Sequence, residues 1–280
     1  MSVLPPDARL LKKHVLKVAL ICVILLVLCG GWLAYEKLFR KVPQQFSQGT
    51  ELAFKYGSIG VEEESGIPYW IWLVLPRLFP EHLPGPGGYT SLGIVWDPSD
   101  EQEMPIGFSK MRIGYERVAI NCAICHTATY RRQRSDGRAS NTQIVAGGPT
   151  NRFDPQRYLA FLRSCAEDPK FNADTILGAI DYNIQLSTID RMLFRYLLIP
   201  GTKKAILEQA ASNRWMQSRP MWGPGRIDPF NPVKFGMLKM DPSDDTSIGN
   251  SDMMPLWELA NRQARDGSWH LHWDGLVTAL

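Results

Sequence analysis

Residues 122–126 read Cys122-Ala123-Ile124-Cys125-His126, and this pentapeptide decides what the chain is built around. C-x-x-C-H is the attachment signature of c-type haem. The two thiols add to the two vinyl groups of the porphyrin as thioethers, and the histidine that follows turns its imidazole to the iron as proximal ligand. Three residues apart on a helix is one face, so the motif predicts a helix over Ile113–Cys125 with both sulfurs on one side. The competing readings are a coincidental C-x-x-C and half of a structural zinc site. Zinc wants further nitrogen or sulfur ligands nearby. The remaining candidates are Cys165, His82, His270 and His272, and they form no second paired cluster. The expected cofactor is therefore one covalent haem c on Cys122 and Cys125, its iron held by His126.

The run from Val18 to Tyr35 carries no charge. Eighteen residues are just enough to cross a bilayer as a helix. Basic residues precede it, and Trp32 and Tyr35 stand at its far end, where interfacial aromatics belong. A cleavable signal peptide is the alternative. No A-x-A site follows the run, and Leu28 before Cys29 suits a lipoprotein site poorly. The expectation is an uncleaved single-pass anchor in the inner (cytoplasmic) membrane. Lysine and arginine counts on the two sides are similar, so the haem motif sets the orientation: c-type haem is attached on the exported side, which makes the haem domain periplasmic. The first 41 residues hold seven basic and two acidic residues, which leaves 24 basic and 26 acidic ones beyond. That balance carries no nucleic-acid footprint. Two cysteines lie in the apolar run and two in the motif, so Cys165 stands alone and no disulfide framework is indicated.

The expected organisation is a basic cytoplasmic segment (1–17), the anchor (18–35), a stalk with a short helix (36–60), and a haem domain (61–280). Residues 66–80 are strongly apolar but broken by Pro68, Pro76 and Pro80, which favours a buried helix of about two turns over a surface that dips into the membrane. Asp154-Pro155 reads as an N-cap and first-turn proline opening a helix over Gln156–Ala166. Helices are also expected over Asn172–Asn183, Ser187–Leu198 (stopped by Pro200-Gly201) and Lys203–Gln217. Residues 218–252 are rich in Gly, Pro, Asp and Asn and read as ordered loop. Apolar alternation is nearly absent. The fold class expected is mainly α: a cytochrome c-like haem domain with long irregular loops, preceded by one transmembrane helix.

A second axial ligand decides what such an iron does. No histidine lies between 126 and 270, and Met237 and Met240 sit where a ligand loop would be. Arg226, inside Gly-Pro-Gly-Arg, and the cluster Arg131, Arg132, Arg134 and Arg138 are candidates to pair a haem propionate. Residues 269–275 read Trp-His-Leu-His-Trp-Asp-Gly, which places a π-system beside titratable groups.

The order of a C-x-x-C-H segment, Ala-Gly-Gly-Pro-Thr-Asn-Arg-Phe-Asp (146–154), Met-Pro-Leu-Trp (254–257) and His-Trp-Asp-Gly (272–275) resembles the first haem domain of the bacterial dihaem cytochrome c peroxidase superfamily. Gly107–Lys110 (GFSK) makes it most similar to the rubber-oxygenase-like branch. The resemblance implies that Trp273, with Asp274, relays charge between two haems, and that the first haem reacts with peroxide or dioxygen. Two departures stand out. The distal histidine of the peroxidases has no counterpart here, and no second C-x-x-C-H precedes Leu280, where the family continues into a second haem domain. The reading is a membrane-anchored c-type haem oxidoreductase whose partner is a redox protein or a second haem domain. The alternatives are a monohaem electron-transfer cytochrome serving a membrane complex, and a non-catalytic haem-bearing interaction subunit.

Overall fold

The computed structural model describes residues 6–44, 49–133, 135 and 137–257. The chain begins with one long helix, α1 (Pro6–Leu38). Within His14–Leu38 an 18-residue window has a mean hydropathy of 2.6, and none of that window is buried against the protein. At about 1.5 Å per residue, His14–Leu38 is longer than the ~30 Å hydrocarbon layer. A helix of this kind serves as a membrane anchor or as a signal sequence.

The segment after α1 is not the free stalk expected. Strand β1 (Lys41–Val42) pairs antiparallel with β3. Lys37 bridges to Asp190 at 2.6 Å, and the Arg40 carbonyl accepts from the Gly114 amide at 2.8 Å. The end of α1 is thereby fastened to the globular part. Next come α2 (Gly49–Tyr56), α3 (Glu62–Ser65), β2 (Ile67–Pro68) and α4 (Tyr69–Leu78). Helix α4 is a core element, as expected for 66–80, with Tyr69, Ile71, Trp72, Val74 and Leu75 buried.

The helix expected over Ile113–Cys125 is absent. The chain there forms a hairpin, β3 (Phe108–Ile113) and β4 (Tyr115–Ile120), turning at Gly114 with φ +72°. The sheet order is β1-β3-β4-β2. A glycine at positive φ ends any helix, and Tyr115, Val118 and Ile120 suit a pleated surface better than a helical one. Apolar alternation is masked because Lys110 and Glu116 pair across the strands at 3.4 Å. The fold is about half helical, with only short strands in small antiparallel sheets.

A second hairpin joins β5 (Thr127–Tyr130) to β6 (Gln143–Ala146). The helical half follows: α5 (Pro155–Glu167), α6 (Ala173–Asp181), α7 (Thr188–Leu193) and α8 (Ile199–Ser212). Asp154, Asn172 and Ser187 each accept a backbone N–H three residues on, which supplies the N-caps of α5, α6 and α7. Pro200-Gly201 does not stop the chain. A π-turn over Phe194–Leu198 carries α7 into α8, and this widened turn lies immediately before Pro200, where the regular hydrogen-bond ladder is interrupted. Beyond α8 the chain is irregular apart from the short pair β7 (Arg226–Ile227) and β8 (Ser251–Asp252).

The core sits between α4, α5 and the β3–β4 hairpin. Trp72 stacks on Tyr89 at 4.3 Å, donates from its indole N–H to the Tyr158 hydroxyl at 3.1 Å, and packs against Phe108. Each large apolar side chain buried here contributes about 1.5–3 kcal/mol. This packing fixes the base from which residues 121–126 emerge.

Candidate functional site

Asn121 follows directly on β4 and is buried. Its side-chain oxygen accepts from the Ala123 amide at 2.9 Å, and its amide nitrogen donates to the carbonyls of Lys55 (3.3 Å) and Gly57 (3.0 Å). This caps a 3₁₀ turn over Cys122–Ile124 and ties it to the end of α2. The Cys125 and His126 amides both close on the Cys122 carbonyl, at 3.3 and 3.1 Å. In a 3₁₀ turn the side chains at i and i+3 eclipse, so the two cysteines share a side without a longer helix. Gly107 backs the turn. Its φ is +87°, its amide donates to the Lys55 carbonyl at 2.9 Å, and its carbonyl accepts from the Asn121 amide at 2.9 Å.

Cys122 is exposed and Cys125 half-buried, both as free thiols. Burial, reinforced by neighbouring Cys122, pushes the Cys125 thiol up to about 12. The His126 Nδ1–H donates to the Met254 carbonyl at 2.8 Å. A carbonyl only accepts, so Nδ1 carries a proton, and Nε2 is the nitrogen left to present a lone pair when the ring is neutral. This is the arrangement by which a metal-binding imidazole is oriented from behind.

Four segments singled out in the sequence meet around this turn. The Thr150 amide donates to the Cys125 carbonyl at 2.9 Å, and the Gly147 carbonyl accepts from Leu256 at 2.7 Å. The Gly225 amide donates to Phe153 at 2.8 Å, while the Gly225 carbonyl accepts from Met253 at 3.1 Å. Residues 146–154 are thus the hub that brings Gly223–Arg226 and Met254–Trp257 to Cys-x-x-Cys-His.

Cys125 opens on a cavity of about 1010 Å³. Its walls are mostly apolar and include Phe153, Tyr158, Leu162, Trp222 and Ile227. No histidine and no methionine is among the described residues of that wall. Of the three motif residues only Cys125 is in this wall; Cys122 and His126 are not.

Arg226 lies at the edge of this region, but its guanidinium pairs with Asp252 at 2.9 Å on the surface, while its neighbour Ile227 faces the cavity. Arg117, which the sequence reading passed over, is in the wall. It stacks 4.6 Å over the Tyr115 ring, and its buried Nε has no hydrogen-bond partner among the described residues. Only the pairing of β4 with β2, which sets Arg117 opposite Pro68, places it there. Met237 and Met240 are exposed and outside the wall. Arg131 and Arg132 are exposed on the β5–β6 side, with Arg131 donating to Thr142. Trp273, Asp274, His270 and His272 lie outside the described residues.

One other group has metal-ligand chemistry: Glu81, His82 and Asp168. The Lys170 ammonium binds Glu81, and His82 pairs with Asp168 at 3.2 Å. These two pairs join Pro80–His82 to the end of α5 as an ion-pair clasp. No protein-family model, no curated protein and no solved structure matches the chain.

Proposed function

We propose that this chain is a membrane-anchored c-type haem oxidoreductase, with haem thioether-linked to Cys122 and Cys125 and iron held by His126 Nε2. The observation that carries the reading is the 2.8 Å bond from His126 Nδ1 to the Met254 carbonyl beside a cavity that Cys125 lines. A bare C-x-x-C-H needs no such bond, whereas a proximal ligand needs its ring held and its second nitrogen basic. Arg117, in the wall, is the residue to pair a propionate, in place of Arg226.

A bound haem, held by Cys122, Cys125 and His126, would supply one-electron chemistry and the capacity to activate a small oxidant. The chain's own part is to hold and exclude. Asn121 and Gly107 set the turn, Met254 orients the imidazole, and Phe153, Tyr158, Leu162 and Trp222 keep water from the cavity. No histidine lies between 126 and 270 in the sequence, and Met237 and Met240 are exposed, which favours an open site over an electron carrier. The activity resembles that of the catalytic, first-haem half of a dihaem peroxidase or oxygenase. Its partner is a redox protein or a second haem domain, and the haem domain stands on the periplasmic side of the inner membrane.

The test is covalent attachment. After expression with a c-type maturation system, haem is expected to stay with the polypeptide through acid–acetone extraction and denaturing electrophoresis. The double variant C122A/C125A is expected to lose it. A wild-type band without haem staining would refute the proposal.

A further inference from the structure

The outer face of α7 and the π-turn is apolar and uncovered. Met192 is 58%, Tyr196 73% and Leu197 51% exposed, with Ile189 beside them. The spacing of these residues suits one helical face, and a core would ordinarily cover it. Here the core takes Phe194 and Leu198 instead. The location of the face is informative. Asp190, in the middle of α7, is the residue that receives Lys37 from the last turn of α1, at 2.6 Å. The apolar face therefore stands beside the point where α1 leaves the lipid. His14–Leu38 spans about 37 Å, more than the ~30 Å hydrocarbon core but within the ~40–45 Å that includes headgroups. Lys37 and its partner Asp190 are thus at headgroup depth when α1 is inserted.

The cavity that Cys125 lines reaches the same place. Leu38 and Phe39, from the end of α1, are in its wall, and so are Leu197 and Leu198 from the π-turn. Phe39 is 64% exposed. Phe39 and Leu197 belong at once to the cavity wall and to the surface beside the anchor. Further along the wall come Ala205 and Ile206 of α8. Arg191 and Arg195, on the same segment, pair with Asp181 and Asp174 at 2.7 Å, so the apolar side chains and not free positive charge carry the case for this face.

We propose that Thr188–Leu198 is a shoulder that rests in the headgroup–acyl boundary beside α1, and that the part of the cavity lined by Phe39, Leu197, Ala205 and Ile206 takes an acyl chain from the bilayer beside the haem that Cys125 would hold, through the mouth framed by Phe39 and Leu197. The ligand class is a lipophilic chain dissolved in or belonging to the membrane. A water-borne ligand would have to cross this apolar rim, whereas a lipid chain enters without leaving apolar surroundings. The inference rests on reading α1 as an anchor, and its test separates the two.

The experiment uses the full chain in phosphatidylcholine–phosphatidylglycerol vesicles containing a fatty acid with a terminal diazirine, followed by irradiation and mass-spectrometric mapping of adducts. Covalent haem content is read from the absorbance of the same preparation. Expected adducts fall on α1, on residues 189–197, and on Ala205 or Ile206 inside the cavity. A205W, which narrows the cavity along the α8 wall, is expected to lose the wall adducts while those on α1 and 189–197 remain. Adducts confined to α1 would overturn the proposal and leave the anchor standing. Adducts on 189–197 with none on the cavity wall would overturn chain entry. Wall adducts that persist in A205W would equally overturn it, because they would report surface labelling. Adducts on 189–197 that appear only after purification from native membranes would assign the face to a protein partner and overturn the proposal. No adduct on α1 would refute the anchor itself, whatever the haem content.

Discussion

The Cys122–Ile124 turn lies against Gly107 so closely that no Cβ fits between them. A Cβ on Gly107 would lie 2.3 Å from the Ile124 Cα, 2.4 Å from its amide nitrogen and 2.5 Å from its Cβ. Gly107→Ala therefore has two costs. The backbone at φ +87° disfavours any side chain by about 1–2 kcal/mol. The turn must also be pushed away from β3, an overpacking cost of about 1–3 kcal/mol. Gly60→Ala is the control, because Gly60 has φ +91° and open space around its missing Cβ. It carries the first cost without the second. In a domain of this size each kcal/mol is about 2–4 °C of Tm. G107A is accordingly expected to melt ~2–12 °C below G60A. It should also lower covalent haem per chain, because Ile124 sits between the two thioether positions. Both variants would be compared as full chains in detergent, by thermal unfolding at 222 nm and by haem absorbance per polypeptide. If G107A matched G60A in both melting and haem yield, the idea that β3 positions the turn by close approach would be wrong.

Three further outcomes are expected. Lys55 is buried against Asp97 (3.0 Å) and Asp100 (2.9 Å); burial pulls its pKa down, but the hydrogen bonds from Asp100, Glu51 and Asp97 outweigh it and the net shift is upward. K55M should cost about 3–5 kcal/mol in denaturant unfolding by stranding those carboxylates, and D100N added to it should recover part. Burial raises the Asp190 carboxyl, but Lys37 and Ser187 outweigh it and hold its pKa below the ordinary value. Its contribution is therefore complete above the unfolded value near pH ~4 and lost as pH falls through the folded one. Wild type should melt above D190N at neutral pH, by about 1 kcal/mol or less, and the gap should close on acidification below about pH 4. Finally, the reduced protein is expected to bind carbon monoxide, and M237A and M240A should leave its reduced spectrum unchanged because both side chains are exposed. A methionine-ligated spectrum that vanishes in either variant would make the chain an electron carrier instead.

What the sequence by itself determined about this protein are the features whose physics is local. Cys-x-x-Cys-His needs only five residues to be read. The apolar run before Tyr35 needs only its own composition, and Asp154, Asn172 and Ser187 cap helices by bonding three residues along the chain. Tertiary structure alone decided the rest. Residues 108–120 form strands because β1 and β2 are available to pair with them, and nothing within the segment announces those partners. Asn121 reads as an ordinary turn residue until the Lys55 and Gly57 carbonyls are set beside it. The bond that orients His126 crosses 128 residues, and Arg117 enters the cavity wall only through sheet register. The periodicity of Ile189, Met192 and Tyr196 specified a face but not what covers it. Helical spacing reports which side chains point together, whereas the solvent they meet is settled by the packing of the whole chain.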